Sequence, residues 1–313
     1  MRGIYKIEML EDGTVQIGAP SAGEMFSFVH VTDSHLRVPR ADLPWTGELA
    51  DAMLEVVDRT NAAAPDLVVF TGDMLDSFTP DNIAYIKGIF ERFDAPVHFV
   101  LGNHDPGIRS IDALRNLVEV QEDFATERER IGEIRRNNVD VPSEALLRDD
   151  ENGMLQSSPR ISRYAFKHWA RAFGLETLNY SLDFEAFHLV FFNFDCAGIE
   201  DGEMAWLEAD IEANKTRPTL LFFHVPLPVA ALVPEVLDKL GQDCCLPAGA
   251  NTDRLFSLLS DNGQILAAFC GHIHFDSLHR YGDFAQVSTA PVAEVRWRRV
   301  VVYRPESARG GEE

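Results

Sequence analysis

Apolar and polar positions along the 313 residues fall into a recurring order. Tyr5 to Ile17 reads as two short strands around Asp12-Gly13, a dipeptide suited to a tight hairpin turn. Phe26 to Val31 is an apolar strand that ends at a polar turn. Leu49, Met53, Val56 and Val57 follow helical spacing, which predicts a helix over Thr46 to Ala63. Leu67-Val68-Val69-Phe70 is a continuous apolar run, as expected of a strand buried on both faces. A helix after Pro80 and an apolar strand from Val97 to Leu101 complete a β-α-β-α-β rhythm. That rhythm predicts an α/β fold, a mostly parallel sheet with covering helices.

Residues 107–175 break the pattern. Ile108 to Asn138, rich in Glu and Arg, reads as a long solvated helix, Asp149 to Pro159 as a polar loop, and Arg160 to Phe173 as another helix. The segment is expected to be a helical insertion within a single domain spanning 1–313. It serves either as a cap beside a site or as a contact surface for a homodimer. Strand-like runs resume at Leu178 to Asp183 and His188 to Phe194. A helix over Met204 to Ala213 follows, then a strand at Thr219 to Phe223, a helix at Asp253 to Leu259, a buried strand at Gln264 to Cys270, and short strands to Tyr303.

Composition adds limits. Apolar residues make up 46% and charged residues 25%, ordinary values for a globular chain able to bury a large core. No apolar run reaches the length of a membrane span, and Met1 to Val15 carries scattered charges without an apolar signal core, so a cytoplasmic protein is expected. A net charge of −22 disfavours nucleic-acid polymers and anionic membranes as partners, while leaving a small anionic ligand to the local field of its site. Arg296, Arg298 and Arg299 alternate with apolar residues and read as an edge strand with a solvated face. Cys196, Cys244, Cys245 and Cys270 form no C-x-x-C pair and are expected to be reduced thiols, Cys270 as a small core residue.

Five polar motifs each follow an apolar strand: Asp33-Ser34-His35, Gly72-Asp73, Gly102-Asn103-His104-Asp105, His224-Val225-Pro226 and Gly271-His272-Ile273-His274. In sheets of this kind the loops at the carboxyl ends of strands gather on one edge, where residues remote in sequence converge. The donors are carboxylate, amide and imidazole with no thiolate, which suits manganese, iron or zinc rather than a structural cysteine site. In an extended segment, residues i and i+2 share a side, so Asp33 with His35, and His272 with His274, are expected to face one site together. The glycines before Asp73, Asn103 and His272 permit a close backbone approach. Two ions about 3.5–4 Å apart need a shared ligand, and Asp73 is the best candidate for that bridge. Against the four positive charges of two divalent ions, Asp33 and Asp73 remove two, and a bridging hydroxide leaves about one, which suits an anionic ester attacked in line.

His104 follows a candidate ligand directly, so its ring is expected to point across the site, stabilising a transition state or protonating a leaving oxygen. Asp76 or Asp105 is expected to orient it, the alternative for each being a loop-capping carboxylate. His30, His98, His168, His188 and His279 belong to no such pattern and read as structural or surface residues.

In this order, D-x-H, G-D, G-N-H-D, H and G-H-x-H, the chain resembles the calcineurin-like metallophosphoesterase superfamily from about Phe26 to Ala290. The resemblance implies a four-layer α/β/β/α sandwich with two mixed β-sheets and two metal ions. It places Asp33, His35, Asp73 and His274 on one ion, and Asp73, Asn103, His224 and His272 on the other. Within the superfamily, Gly102-Asn103-His104-Asp105 and Trp206-Leu207 look most like class III cyclic nucleotide phosphodiesterases and related glycerophosphodiesterases. Gly72 to Ser77 lacks the arginine of serine/threonine phosphatases and the tyrosine of purple acid phosphatases. The expectation is therefore a phosphodiesterase acting on a small phosphate ester. The alternatives are a nucleotide-sugar or ADP-ribose pyrophosphatase, a phosphomonoesterase, and a binding scaffold without catalysis, which lost ligands would mark. No ligand position is lost. Specificity is expected to come from 107–175 and from the loops near Asn179 and Phe275.

Overall fold

The computed structural model describes residues 5–106, 166, 168–194, 198–228 and 245–305. The hairpin forms as its turn residues dictate, with β1 (Ile7–Met9) antiparallel to β2 (Val15–Ile17) and Ile7 opposite Ile17. The next strands are β3 (Glu24–Val31), β4 (Leu67–Thr71) and β5 (Val97–Val100), joined by α1 (Pro44–Ala63) and α2 (Pro80–Phe90). β3, β4 and β5 pair in parallel, so their carboxyl ends reach the same edge. The helices start and stop on local signals. Pro44 and Pro80 open them, the Thr79 hydroxyl accepts the N–H of Asn82 at 3.0 Å, and Ala64 ends α1 in a left-handed conformation ahead of Pro65.

A second group contains β6 (Tyr180–Phe184), β7 (Phe187–Phe191), α3 (Asp201–Ala213), β8 (Thr219–Phe222), α4 (Ala250–Asp261), β9 (Ile265–Cys270), β10 (Ser277–Tyr281) and β11 (Phe284–Ser288). The chain then crosses back as β12 (Arg298–Tyr303). Two mixed six-stranded sheets result, in the orders β1-β2-β12-β3-β4-β5 and β10-β11-β9-β8-β7-β6. Their inner faces meet through Phe26, Phe28, Val69, Phe191, Phe222 and Phe269, with edge-on contacts such as Phe28 to Phe269 at 5.2 Å. Outside the first sheet, α1 and α2 bury Met53, Val56, Ile83 and Ile86. Outside the second, α3 and α4 bury Met204, Leu207, Leu255 and Leu259. The four layers are thus α/β/β/α.

The proposed helix at 108–138 and loop at 149–159 lie outside the described residues. Of the helix expected over Arg160 to Phe173, residues 166 and 168–173 are helical. Trp169 anchors this piece. It is fully buried, its Nε1–H donates to the carbonyl of Asp105 at 3.1 Å, and its ring packs on Phe99 and Phe173.

One expectation fails here. Arg298 is not on an edge strand. β12 runs between β2 and β3, and Arg298 is buried because its register partner His30 faces the layer between the sheets. Arg296 precedes the strand, and Arg299, on the opposite face, is partly exposed. Alternation with valines reports the pleat but not which face meets water.

Candidate metal centre

All five polar motifs follow the carboxyl ends of parallel strands. Asp33 and His35 follow β3, Asp73 follows β4, and Asn103 and His104 follow β5, while His224 follows β8 and His272 and His274 follow β9. Since the two sheets are stacked, these edges face one another, and all seven proposed ligands come together.

Two clusters form, each with ligand atoms within 4.8 Å of one another. One contains Asp33, His35 and His274: His274 Nε2 is 3.3 Å from Asp33 Oδ1 and 3.3 Å from His35 Nε2. The other contains Asp73, His224 and His272, joined by Asn103, whose Oδ1 lies 3.2 Å from His224 Nε2 and 3.0 Å from His272 Nδ1. Asp73 connects them. Its Oδ2 is 3.2 Å from His224 Nε2 and 3.8 Å from His35 Nε2, while its Oδ1 accepts the backbone N–H of His104 at 2.8 Å. A single oxygen, rather than the two separate oxygens of a spanning carboxylate, therefore faces both clusters.

The backbone beneath these residues is unusual. Among the described residues, eight non-glycine positions have positive φ. Five of them are proposed ligands: Asp33 (52°), His35 (44°), Asp73 (48°), His272 (70°) and His274 (56°). The expectation that each D-x-H or H-x-H unit is extended is therefore wrong. The pairs converge because both ends adopt the left-handed conformation, a strained choice that persists only when surroundings impose it. Loop-to-loop hydrogen bonds impose it here. Asp33 N–H donates to the Gly72 carbonyl at 3.0 Å, His35 N–H to the Asp73 carbonyl at 2.8 Å, and His272 N–H to Asp33 Oδ2 at 3.0 Å. Two glycines make this approach feasible: a Cβ on Gly102 would overlap Asp73, and one on Gly271 would overlap Thr32 and Asp33.

Electrostatics follow from burial and pairing. Burial pushes the Asp33 carboxyl up, but the hydrogen bond from His274 and the nearby histidines outweigh it, leaving Asp33 below its usual range. Asp73 is likewise held well below that range by His224 and its neighbours despite burial. Burial drives His35 down to about 4. It opposes charge on His224 too, yet Asp73 dominates and raises that ring to about 9. Negative oxygen and imidazole thus face one another at short range, the donor set of a borderline divalent cation.

His104 points toward Asp76, with Nδ1 3.2 Å from Asp76 Oδ1, and these two form a third cluster with His35. Asp76 also pairs with Arg37, whose Nη2 lies 2.5 Å from Oδ2. Asp105 does not orient His104. Its carboxylate accepts the N–H groups of Leu75 at 2.8 Å and Gly102 at 2.7 Å, so it is the loop-capping carboxylate. Burial and the charge of Asp73 raise it to about 7. Cys270 is buried with its Sγ 3.2 Å from Ser288 Oγ and belongs to neither ligand cluster, and Cys245 and Cys270 are reduced. Sequence reading missed Thr32, whose hydroxyl donates to Asp33 Oδ2 at 2.8 Å, and Arg37. It missed as well the Thr71 carbonyl, 2.7 Å from His224 Nδ1, which orients that ring. Arg37 follows His35 by two residues, a signal that was open to reading.

The family model described as Calcineurin-like phosphoesterase matches residues 26–276. A glycerophosphodiester phosphodiesterase GpdQ of Enterobacter lignolyticus is 23% identical over 270 residues, covering 84% of this chain and 75% of that protein. A probable cyclic nucleotide phosphodiesterase of Rhodococcus erythropolis is 36% identical over 83 residues, 25% of this chain and 27% of that protein. The crystal structure of a dimetal phosphatase from Danio rerio shares the fold, with a TM-score of 0.53 at 14% identity over 90% of this chain and 94% of that one. Among the described residues, no helix is long and apolar enough to cross a membrane.

Proposed function

The chain belongs to the calcineurin-like phosphoesterase family and is a metal-dependent phosphoester hydrolase; from that premise we propose that it cleaves small phosphodiesters at a dinuclear centre. The substrate would be of glycerophosphodiester or cyclic nucleotide type, the chemistries named for two of its relatives. The observation that carries the reading is the position of Asp73, one of whose oxygens faces both ligand clusters at 3.2 Å and 3.8 Å.

Asp33, His35, Asp73 and His274 would hold one divalent ion, and Asp73, Asn103, His224 and His272 the other. Manganese, iron and zinc all suit this donor set. Bound there, such ions supply Lewis-acid activation of water and of the phosphoryl oxygens. The remaining work falls to the chain. Asp33 and Asp73 leave the centre with a net positive charge that attracts the anionic ester. His104 gives a proton to the leaving oxygen from Nε2, while Asp76 holds the ring through Nδ1. Arg37 in turn holds Asp76.

Titrating metal-free protein with manganese, zinc and iron while following bis- and mono-p-nitrophenyl phosphate hydrolysis tests the reading. Metal-dependent turnover with the diester preferred is expected. A preferred monoester rejects the diesterase, and no turnover of either ester rejects the dinuclear mechanism.

A further inference from the structure

Arg298 is the one buried residue of the basic stretch, and the proposed activity does not account for it. Its side chain is 2% exposed, and its guanidinium lies between the sheets. Burying a charge is costly unless it is paired, and a pair that merely glued two sheets together is replaceable by apolar packing. Where its hydrogen bonds lead is therefore informative. Nη2 donates to Asp276 Oδ1 at 2.6 Å and to the Ser288 carbonyl at 3.2 Å. Nη1 donates to the Gly13 carbonyl at 2.5 Å, and Nε to Thr289 Oγ1 at 2.9 Å.

Two routes run from this group to the ligands. Asp276 follows His274 by two residues and also accepts the N–H of Ala290 at 2.9 Å, so it closes the loop that carries His272 and His274. The start of that loop is fixed separately, by Gly271 N–H on the His224 carbonyl at 3.1 Å. Between these two ties sit the left-handed His272 and His274, which need such over-determination. The second route passes through Thr289, whose Oγ1 is 2.8 Å from His30 Nδ1. His30 Nε2 is 2.7 Å from Thr71 Oγ1, and the carbonyl of Thr71 faces His224 Nδ1 at 2.7 Å. Arg298 can only donate, which leaves the Thr289 proton for His30 Nδ1 and the His30 Nε2–H for Thr71 Oγ1, while the Thr71 carbonyl accepts from His224 Nδ1–H.

We propose that Arg298 is a positioning residue for the metal centre, holding the His272–His274 loop through Asp276 and the ring of His224 through Thr289, His30 and Thr71. The proposal rests on the metal-centre reading above.

The test is calorimetric titration of metal-free wild type, Arg298→Lys, Asp276→Asn and Thr289→Val with manganese, alongside thermal melting of each metal-free protein. Asp33→Asn marks the binding step of the cluster containing His274. Arg298→Lys and Asp276→Asn are expected to weaken that step about tenfold, as loss of support behind ligands typically does, by more than any fall in metal-free melting temperature accounts for. Arg298→Lys should weaken the other step as well, because Thr289 loses its donor. The double variant Arg298→Lys, Asp276→Asn should lose little more than either alone. Thr289→Val should weaken the other step instead. Wild-type affinities in all three single variants overturn the proposal alone. So do losses that merely track a lowered metal-free melting temperature. A wild type that binds no ion overturns the metal-centre reading and the proposal with it.

Discussion

The two ligand clusters are built by different means. Asp73, Asn103, His224 and His272 are held by enclosure. His224 and Asp73 are buried, the Thr71 carbonyl fixes one imidazole, and the Asn103 amide oxygen lies within 3.2 Å of both rings. Asp33, His35 and His274 are held by charge. Asp33 adds a second carboxylate at full burial, while the His274 side chain remains 41% exposed. The inner cluster therefore has geometry without much charge, and the outer one has charge on a loop whose geometry must be imposed from behind. Asp73 faces both, and on the proposed reading this is what would make the pair one centre.

Removing that shared residue should give the largest effect. Asp73→Asn is expected to empty both clusters, cutting metal affinity by more than the roughly 10–100-fold typical of an outer supporting residue. Metal analysis after dialysis, with activity beside it, measures this. Loss of one ion alone would mean that the clusters are independent.

His104→Ala comes next and should separate binding from catalysis. Both ions stay, while turnover falls by about 10²–10⁴-fold, the usual worth of a general acid. The loss should be larger for an alkyl leaving group than for p-nitrophenolate, which departs without a proton. An emptied metal site in this variant would mean that His104 is a ligand.

Asp33→Asn sharpens the contrast between clusters. It should leave one ion per chain, in the enclosed cluster, because the carboxylate that would offset the cation's charge beside His274 and His35 is gone. Retention of two ions with wild-type affinity would show that enclosure suffices for both.

The smallest effect concerns the hydrogen-bond chain behind His224. Burial, reinforced by Arg298, lowers His30 to about 3 from an ordinary 6.5. The unfolded chain therefore takes up this proton first as pH falls. Stability is fully present above 6.5 and is lost as pH drops toward 3, at up to about 1.4 kcal/mol per unit. Denaturant unfolding between pH 6.5 and 4 should show a shallower decline in His30→Gln than in wild type. Equal slopes would show that His30 does not titrate in this way.

What the sequence made legible follows from the same physics. Leu67–Thr71 and Ile265–Cys270 are buried on both faces, so their apolar runs are continuous and hard to misread. Polar motifs directly after such strands must land on one edge, and the seven donors could be named before their contacts were seen. Other features depend on partners far along the chain. Nothing local in Arg298-x-Val300 announces that Asp276, Thr289 and the Gly13 carbonyl surround it, so an interior strand resembled an edge. Asp76 and Asp105 look equivalent as neighbours of His104, and only the fold aims one at the ring and the other at two amides. The left-handed backbone at Asp33 and His35 was hidden for the same reason, since hydrogen bonds from another loop impose it.

On the proposed reading one oxygen of Asp73 joins the two ligand clusters. Anomalous scattering from crystals grown with manganese tests it most directly. Two manganese peaks about 3.5–4 Å apart are expected. Asp73 Oδ2 should lie between them, with Asp33, His35 and His274 around one and Asn103, His224 and His272 around the other. A single peak, or two peaks that share no Asp73 oxygen, would contradict it.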